Sequence, residues 1–313
     1  MTRVAAIDCG TNSIRLLIAE ADPTGGLVDL ERRLKIVRLG QGIDATGEFH
    51  PDALARTFAA IEHYAESIAA AGVPASAVRL VATSAARDAG NREQFFAGVR
   101  DRLGVEPVVI SGETEAQLSF TGALSRIRPT AEPVLVMDIG GGSTELITGS
   151  AAGDITHAVS LDIGSVRLTE RYLRTSPPTP DDLERATEHV DEQLARSGVD
   201  LAAVGSWIGV AGTVTSMAAM HLGLPDYDRD LVHGSTIPTR KVADLLARLS
   251  SLTVSEIRDI ASMHPQRADV ITAGTLIAAR VAEGVAAPDL VVSESDILDG
   301  IALDLLRADE GVT

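Results

Sequence analysis

Val136-Met137-Asp138-Ile139-Gly140-Gly141-Gly142-Ser143-Thr144-Glu145-Leu146 is the stretch whose reading decides the fold. An apolar run, Pro133 to Met137, reads as a buried strand, and it leads into an acid, three glycines and a hydroxyl. Glycines at such a place let the backbone turn sharply and bring its N–H groups close to a ligand. A row of inward-pointing N–H groups is an anion cradle, and phosphate is its usual guest. Asp138 repels phosphate but suits a divalent cation that bridges to it. Glu145, seven residues on in the next alternating segment, is placed to point into the same site.

The pattern recurs near the N-terminus in Ala5-Ala6-Ile7-Asp8-Cys9-Gly10-Thr11-Asn12-Ser13, where Asp8, Gly10 and Ser13 match Asp138, Gly140 and Ser143 at one constant offset. A strand and turn repeated without a gap points to two related half-folds, each offering a phosphate loop. The alternative is a pair of tight hairpin turns with solvated acids.

The 313 residues suggest about two domains. Hydrophobic residues make up 45% but aromatics only 3%, so the cores must be built from Ala, Val, Leu and Ile. No apolar run approaches the ~20 residues of a membrane span. Met1-Thr2-Arg3-Val4 runs straight into a strand, so no signal peptide is expected. The single cysteine excludes an intrachain disulfide and fits a reducing cytoplasm. Cys9 reads as a small buried filler. A formal net charge of −17 argues against non-specific nucleic-acid binding, and any polyanionic substrate would need a local basic lining.

Strands are expected at 4–8, 14–21 and 27–38, with Asp22-Pro23-Thr24-Gly25-Gly26 as a turn. Arg32, Arg33, Lys35 and Arg38 place four cations on the third strand. Leu54, Phe58, Ile61, Ala65 and Ile68 recur at helical spacing between Pro51 and Ala71. Strand 78–82 leads into Thr83-Ser84-Ala85-Ala86-Arg87-Asp88, read either as a phosphate clamp or as a helix cap with an Arg87–Asp88 surface pair. Helix 91–103 and strand 105–110 follow. In Ser111-Gly112-Glu113-Thr114-Glu115-Ala116 the acids either serve a helix dipole or one acts as a general base for water. Beyond the central motif come strand 154–160 and a helix bearing Arg167, Arg171 and Arg174, a cationic face whose default reading is solvation. Helix 181–197 and strand 204–210 precede a third glycine turn, Gly209-Val210-Ala211-Gly212-Thr213, whose amides suit a nucleotide or other phosphate. The remainder reads as helices 237–250, 253–262 and 266–286, then strand 289–293 and helix 296–307. Arg267 and Asp269 open the long helix, Arg267 as an ion-pair or cleft-lining residue.

The order of these motifs closely resembles the exopolyphosphatase / guanosine pentaphosphate phosphohydrolase (Ppx/GppA) family. The resemblance rests on Asp8 to Ser13, Thr83 to Asp88, Ser111 to Ala116, Asp138 to Leu146, Gly209 to Thr213 and Arg267-Ala268-Asp269, and it covers the whole chain. It implies an α/β fold of two actin-like (ribonuclease H-like, ASKHA) domains with an active-site cleft between them. One would hold residues 1–120 and a C-terminal helix at about 298–313, the other residues 121–297. It implies Glu115 as the general base, and Mg²⁺ held by Asp138 and Glu145. The phosphates would be bound at Gly10, Thr11, Asn12, Ser13, Arg87, Gly140, Gly141, Gly142, Ser143, Gly212, Thr213 and Arg267. Many relatives carry two adjacent acids where this chain has Glu113-Thr114-Glu115, which keeps Glu113 in play. Longer relatives have a C-terminal helical domain absent here, and Ser293-Glu294-Ser295-Asp296-Ile297-Leu298-Asp299-Gly300 departs from a more basic family version.

The expectation is a cytoplasmic, Mg²⁺-dependent exopolyphosphatase that processively releases orthophosphate from inorganic polyphosphate. The resemblance also implies a homodimer; the net charge and the lack of a long apolar run point to neither nucleic acid nor membrane as partner. Alternatives are hydrolysis of the 5′-phosphate of guanosine pentaphosphate (pppGpp), or a nucleotide-binding sensor without turnover. A sugar kinase lacks support, since no sugar-binding signature is present.

Overall fold

The computed structural model describes residues 2–22 and 26–310, so the centre of the expected turn at Asp22–Gly26 lies outside the described residues. The chain divides into two compact units: residues up to Ser125 with those from Ile297 onward, and Arg126–Asp296.

In the first unit, β1 (Arg3–Cys9) and β2 (Ser13–Ala21) form a hairpin, and β3 (Leu27–Ile36) adds antiparallel to β2. β3 stops two residues short of the expected end. The amides of Val37 and Arg38 turn to the Asn12 carbonyl, at 3.0 and 2.8 Å, instead of continuing the ladder. Arg38 therefore lies off the strand, with φ at 52°, while Arg32, Arg33 and Lys35 lie on it. The short helix α1 (Ile43–Thr46) precedes α2 (Pro51–Ala70), which starts on a His50 cap and a proline in its first turn. β4 (Val78–Ala82) pairs parallel to β1, and α3 (Ser84–Asp88) and α4 (Arg92–Leu103) follow. β5 is only Val108–Val109, shorter than expected, because Pro107 has no N–H to extend the ladder. α5 (Gly112–Leu124) opens on Ser111, whose hydroxyl accepts from the Thr114 amide. The sheet order is β3-β2-β1-β4-β5.

The second unit repeats this plan. β6 (Val134–Ile139), β7 (Thr144–Gly149) and β8 (Ile155–Leu161) form an antiparallel meander. Helices α6 (Ser165–Arg171) and α7 (Pro180–Arg196) lead to β9 (Ser206–Val210), which pairs parallel to β6. After α8 (Ala211–His221) and α9 (Arg229–Val232) comes β10 (Thr236–Pro238), an edge strand where a helix start was expected. α10 (Thr239–Ser250), α11 (Val254–Arg258) and α12 (Ile271–Gly284) precede β11 (Asp289–Val292), parallel to β9. α11 and α12 are both shorter than expected. Arg267 closes a 3₁₀ turn, Pro265–Arg267, and does not sit on the long helix. The sheet order is β10-β11-β9-β6-β7-β8. The chain then returns to the first unit as α13 (Ile297–Glu310).

Aliphatic residues make the cores, as the composition requires. Ala5, Ile7 and Cys9 face one side of the first sheet with Phe49, Tyr64 and Phe95. Val4 and Ala6 face the other, against Ile297, Leu298 and Ile301 of α13. Both faces of β1 are thus covered, which is why it reads as a continuous apolar run. α13 is fixed further by the Arg32 guanidinium, which grips the fully buried Asp299 carboxylate at 2.9 Å to each oxygen.

α13 also packs close on α5. A Cβ on Gly300 would stand 2.1 Å from the Leu118 carbonyl oxygen. Backbone cannot yield as a side chain does, so Gly300→Ala is expected to cost about 1–3 kcal/mol of stability. Denaturant unfolding checks this; an unchanged midpoint would show that the two helices do not meet at Gly300.

Candidate functional site

In each unit the glycine turns leave the carboxyl ends of parallel strands, where open α/β sheets place their ligands. In the first unit these ends lie level. The Thr83 amide donates to the Cys9 carbonyl at 3.2 Å, and the Ile110 amide to the Ala82 carbonyl at 3.1 Å. The turns after β1, β4 and β5 carry Gly10 to Ser13, Thr83 to Asp88 and Ser111 to Glu115.

The first glycine turn closes on itself: the Gly10 amide donates to the Ser13 carbonyl at 2.9 Å. Gly140 does the same to Ser143 at 3.0 Å. The Gly10 and Gly140 amides are thus spent inside their turns, and the expected phosphate cradle falls to the amides that follow them. The carbonyls of each turn are tied back as well. In the first, the Asn12 carbonyl takes the Val37 and Arg38 amides, and the Thr11 carbonyl takes that of Gly40 at 2.9 Å. The Thr11 methyl lies where a Cβ on Gly40 would be, 2.3 Å away. The side-chain Oδ1 of Asn12 is buried with no hydrogen-bond partner among the described residues, a state that calls for a donor from a ligand or water.

In the second, the amides that open α6 do the tying. Ser165 donates to the Gly140 carbonyl at 2.9 Å, and Val166 and Arg167 donate to Gly141 at 2.9 and 3.0 Å. Arg167 Nε donates to the Gly142 carbonyl at 2.7 Å. Of the three arginines read as one face, Arg171 and Arg174 are exposed and Arg167 turns to the loop.

Asp138 and Glu145 stand directly opposite each other in the β6–β7 register, so their side chains share one face of the sheet. Both are buried, at 6% and 1% exposure, and the Ser160 hydroxyl donates to Glu145 Oε1 at 2.7 Å. Two acids so placed repel unless positive charge sits with them. The pair fits Mg²⁺, which keeps several waters and takes one or two protein carboxylates. No group of three or more His, Cys, Asp or Glu able to hold a metal occurs among the described residues, so a closed all-protein cage is not what the donors offer. At the equivalent place in the first unit, Asp8 faces Arg15 across β1–β2. Arg15 donates to the Asp8 carboxylate from Nε at 3.0 Å and from Nη2 at 2.7 Å.

The turn after β9 lies next to the turn after β6, since Asp138 and Val210 are register partners. Ala211 holds φ at 65°, a left-handed conformation that strains a residue with a Cβ. Arg267 covers this turn. Its Nη1 lies 3.2 Å from both the Gly212 carbonyl and the Ser216 hydroxyl, and a Cβ on Gly212 would meet the guanidinium at 2.6 Å. A cation at a helix N-terminus opposes the dipole, and an anion bound beside both relieves it. Near Arg267, the Tyr227 hydroxyl donates to Glu294, and Arg229 Nε donates to Glu294 Oε2 at 3.3 Å. Tyr227 as a residue is 43% exposed.

Arg87 does not form the surface pair with Asp88. Its Nη1 donates to Glu115 Oε2 at 2.7 Å and to the Ile110 carbonyl at 3.0 Å. Glu115 is buried at the start of α5, whereas Glu113 is exposed. Cys9 is a buried filler: burial foremost, then the Asp8 carboxylate, pushes its thiol well above the ordinary range. Within the first unit, then, Gly10 to Ser13, Arg87 and Glu115 come to one sheet edge. Within the second, Asp138, Gly140 to Ser143, Glu145, Gly212, Thr213 and Arg267 do so. Sequence reasoning passed over Arg15 and Tyr227, and took Arg167 as part of a cationic helix face. Arg15 was within reach, because the constant offset that links Asp8 to Asp138 also links Arg15 to Glu145.

The chain is 45% identical to Exopolyphosphatase 2 of Mycobacterium tuberculosis, over 97% of this chain and 99% of that protein. It is 28% identical to Exopolyphosphatase 1 of Mycobacterium bovis, over 88% of this chain and 80% of that one. A crystal structure of an exopolyphosphatase-like protein matches with a TM-score of 0.92 and 40% identity, covering 98% and 99% of the two chains. A Ppx/GppA family member from Aquifex aeolicus matches with a TM-score of 0.83 and 29% identity, over 98% of each. The fold is the two-domain actin-like one that the family resemblance implied. A model of the Ppx/GppA phosphatase family matches residues 17–308, and the chain belongs to that family.

Proposed function

We propose that this protein is an exopolyphosphatase that hydrolyses terminal phosphates from inorganic polyphosphate, processively and with Mg²⁺. The observation that carries this reading is the buried Asp138–Glu145 pair beside a glycine turn whose carbonyls are all tied back. The near full-length likeness to Exopolyphosphatase 2 supplies the substrate class. Membership of a phosphatase family fits a hydrolase of phosphoanhydride bonds.

In this reading Asp138 and Glu145 hold the Mg²⁺, which when bound neutralises charge developing on the phosphoryl oxygens. The amides of Thr11 to Ser13 and Gly141 to Ser143, with the Ser13 and Ser143 hydroxyls, bind phosphate oxygens. Gly212, Thr213 and Arg267 hold phosphates further along the chain. Glu115 takes the proton from the attacking water; its buried place at the opening of α5 favours it over exposed Glu113. Fixed donors of this kind suit phosphoryl transfer, where catalysis is mainly positioning and charge stabilisation. A cytoplasmic location and a homodimer belong to the same reading.

A second reading is hydrolysis of pppGpp. Tyr227, a partly exposed aromatic residue near Arg267, favours it, since an aromatic side chain offers a nucleobase a stacking partner.

Phosphate release should be metal-dependent with polyphosphate, and chelation should abolish it. Asp138→Asn is expected to lower the apparent affinity for Mg²⁺ at least tenfold, seen in a metal titration of the rate; an unchanged titration would remove Asp138 as a ligand. Glu115→Gln should lower kcat by about 10²–10⁴-fold with little change in KM, as loss of a general base does. If Glu113→Gln instead causes that loss, the base lies two residues earlier. Turnover of pppGpp alone, with polyphosphate untouched, would replace the first reading by the second.

A further inference from the structure

Two groups with separate duties in the proposed reaction are bound to each other. The Arg87 guanidinium, expected to bind phosphate, donates to Glu115 Oε2 at 2.7 Å. We propose that Arg87 is a latch on the base: it holds Glu115 while the site lacks substrate, and a terminal phosphate draws it off and leaves Glu115 to accept a proton. The proposal rests on Glu115 being the base.

The geometry places Arg87 within reach of both roles. It belongs to α3, whose preceding residue Thr83 is tied to the end of β1 at 3.2 Å and has its hydroxyl 3.8 Å from where a Cβ on Gly10 would be. The arginine is thus rooted at the edge of the first glycine turn. Its side chain is 25% exposed against 11% for Glu115, so the guanidinium is the partner that solvent or a ligand can reach. Nη1 also donates to a neutral carbonyl, that of Ile110, at 3.0 Å. A guanidinium carries five donors in a planar fork that matches phosphate oxygens two at a time. A phosphate with more than one negative charge competes well for that fork against a single carboxylate.

A carboxylate held in an ion pair is a poor base, because accepting a proton forfeits the pair. Once phosphate takes the fork, the share of that penalty due to Arg87 is gone. A proton then passes from water to a Glu115 oxygen, the water oxygen bonds to the terminal phosphorus, and the bridging P–O bond breaks with its electron pair on the departing chain. Proton acceptance is thus made conditional on a phosphate being in place.

Binding of orthophosphate, measured by calorimetry in a double-mutant cycle, tests the exchange without turnover. Glu115→Gln removes the competitor for Arg87, so it should tighten orthophosphate binding about tenfold, the scale of a charge-assisted hydrogen bond. In an Arg87→Gln background the same Glu115→Gln change should alter binding less than about twofold; Arg87→Met serves if that variant does not fold. Equal tightening in both backgrounds would mean plain repulsion between Glu115 and phosphate and would overturn the latch. Unchanged or weaker binding in Glu115→Gln would do so too, by marking the pair as structural. Turnover is read separately: full polyphosphate hydrolysis by Glu115→Gln removes the base assignment, whatever the binding cycle gives.

Discussion

A peptide unit has one N–H and one C=O pointing opposite ways, so a loop can show its amides to an anion only if its carbonyls are satisfied behind it. The rest of the structure follows from meeting that demand twice. In the second unit the opening amides of α6 and the Arg167 side chain take the carbonyls of Gly140, Gly141 and Gly142. Gly164 is compelled by this closeness, since a Cβ there would lie 2.4 Å from the Gly141 oxygen. In the first unit no helix plays that part. The segment that leaves β3 does, through Val37, Arg38 and Gly40. Two similar sheets thus reach one electrostatic result by different backing, and the backing sets where β3 and α6 begin and end.

The duplicated turns have also diverged in charge. Across β1–β2 the facing pair is Asp8 and Arg15, which satisfy each other. Across β6–β7 it is Asp138 and Glu145, two buried acids of like sign. The first pairs an acid with a base; the second pairs two acids, the set that the proposed Mg²⁺ reading assigns to the metal. That asymmetry puts different charge beside the two turns on the same backbone plan.

Much of this was legible in the sequence. The Asp-Gly turns, their constant offset and the strand–turn–strand pattern around them gave the doubled sheet, because glycine and strand periodicity are local signals. The long helix was misplaced at its start, since Pro265 opens a separate 3₁₀ turn before Ile271. β10 was missed: three residues ending in a proline have no periodicity to read. The partner of Arg87 was beyond reach for another reason. Sequence offered Asp88 next door, but the carboxylate it meets lies on α5, and only the parallel pairing of β4 with β5 brings the two together. Glu113 and Glu115 could not be told apart until α5 had a direction, which buries one and exposes the other.

The second unit is one unbroken stretch of chain, whereas the first is closed by a helix that arrives after it. Until α13 emerges, Val4, Ala6, Leu17 and Val81 have an uncovered apolar face and Arg32 lacks Asp299. During synthesis the later-made unit can therefore reach its native state first, while the earlier-made one waits with its β-sheet open on one side. The usual N-terminal-first order of folding therefore does not apply to the first unit as a whole, because its last-made helix completes its first-made sheet.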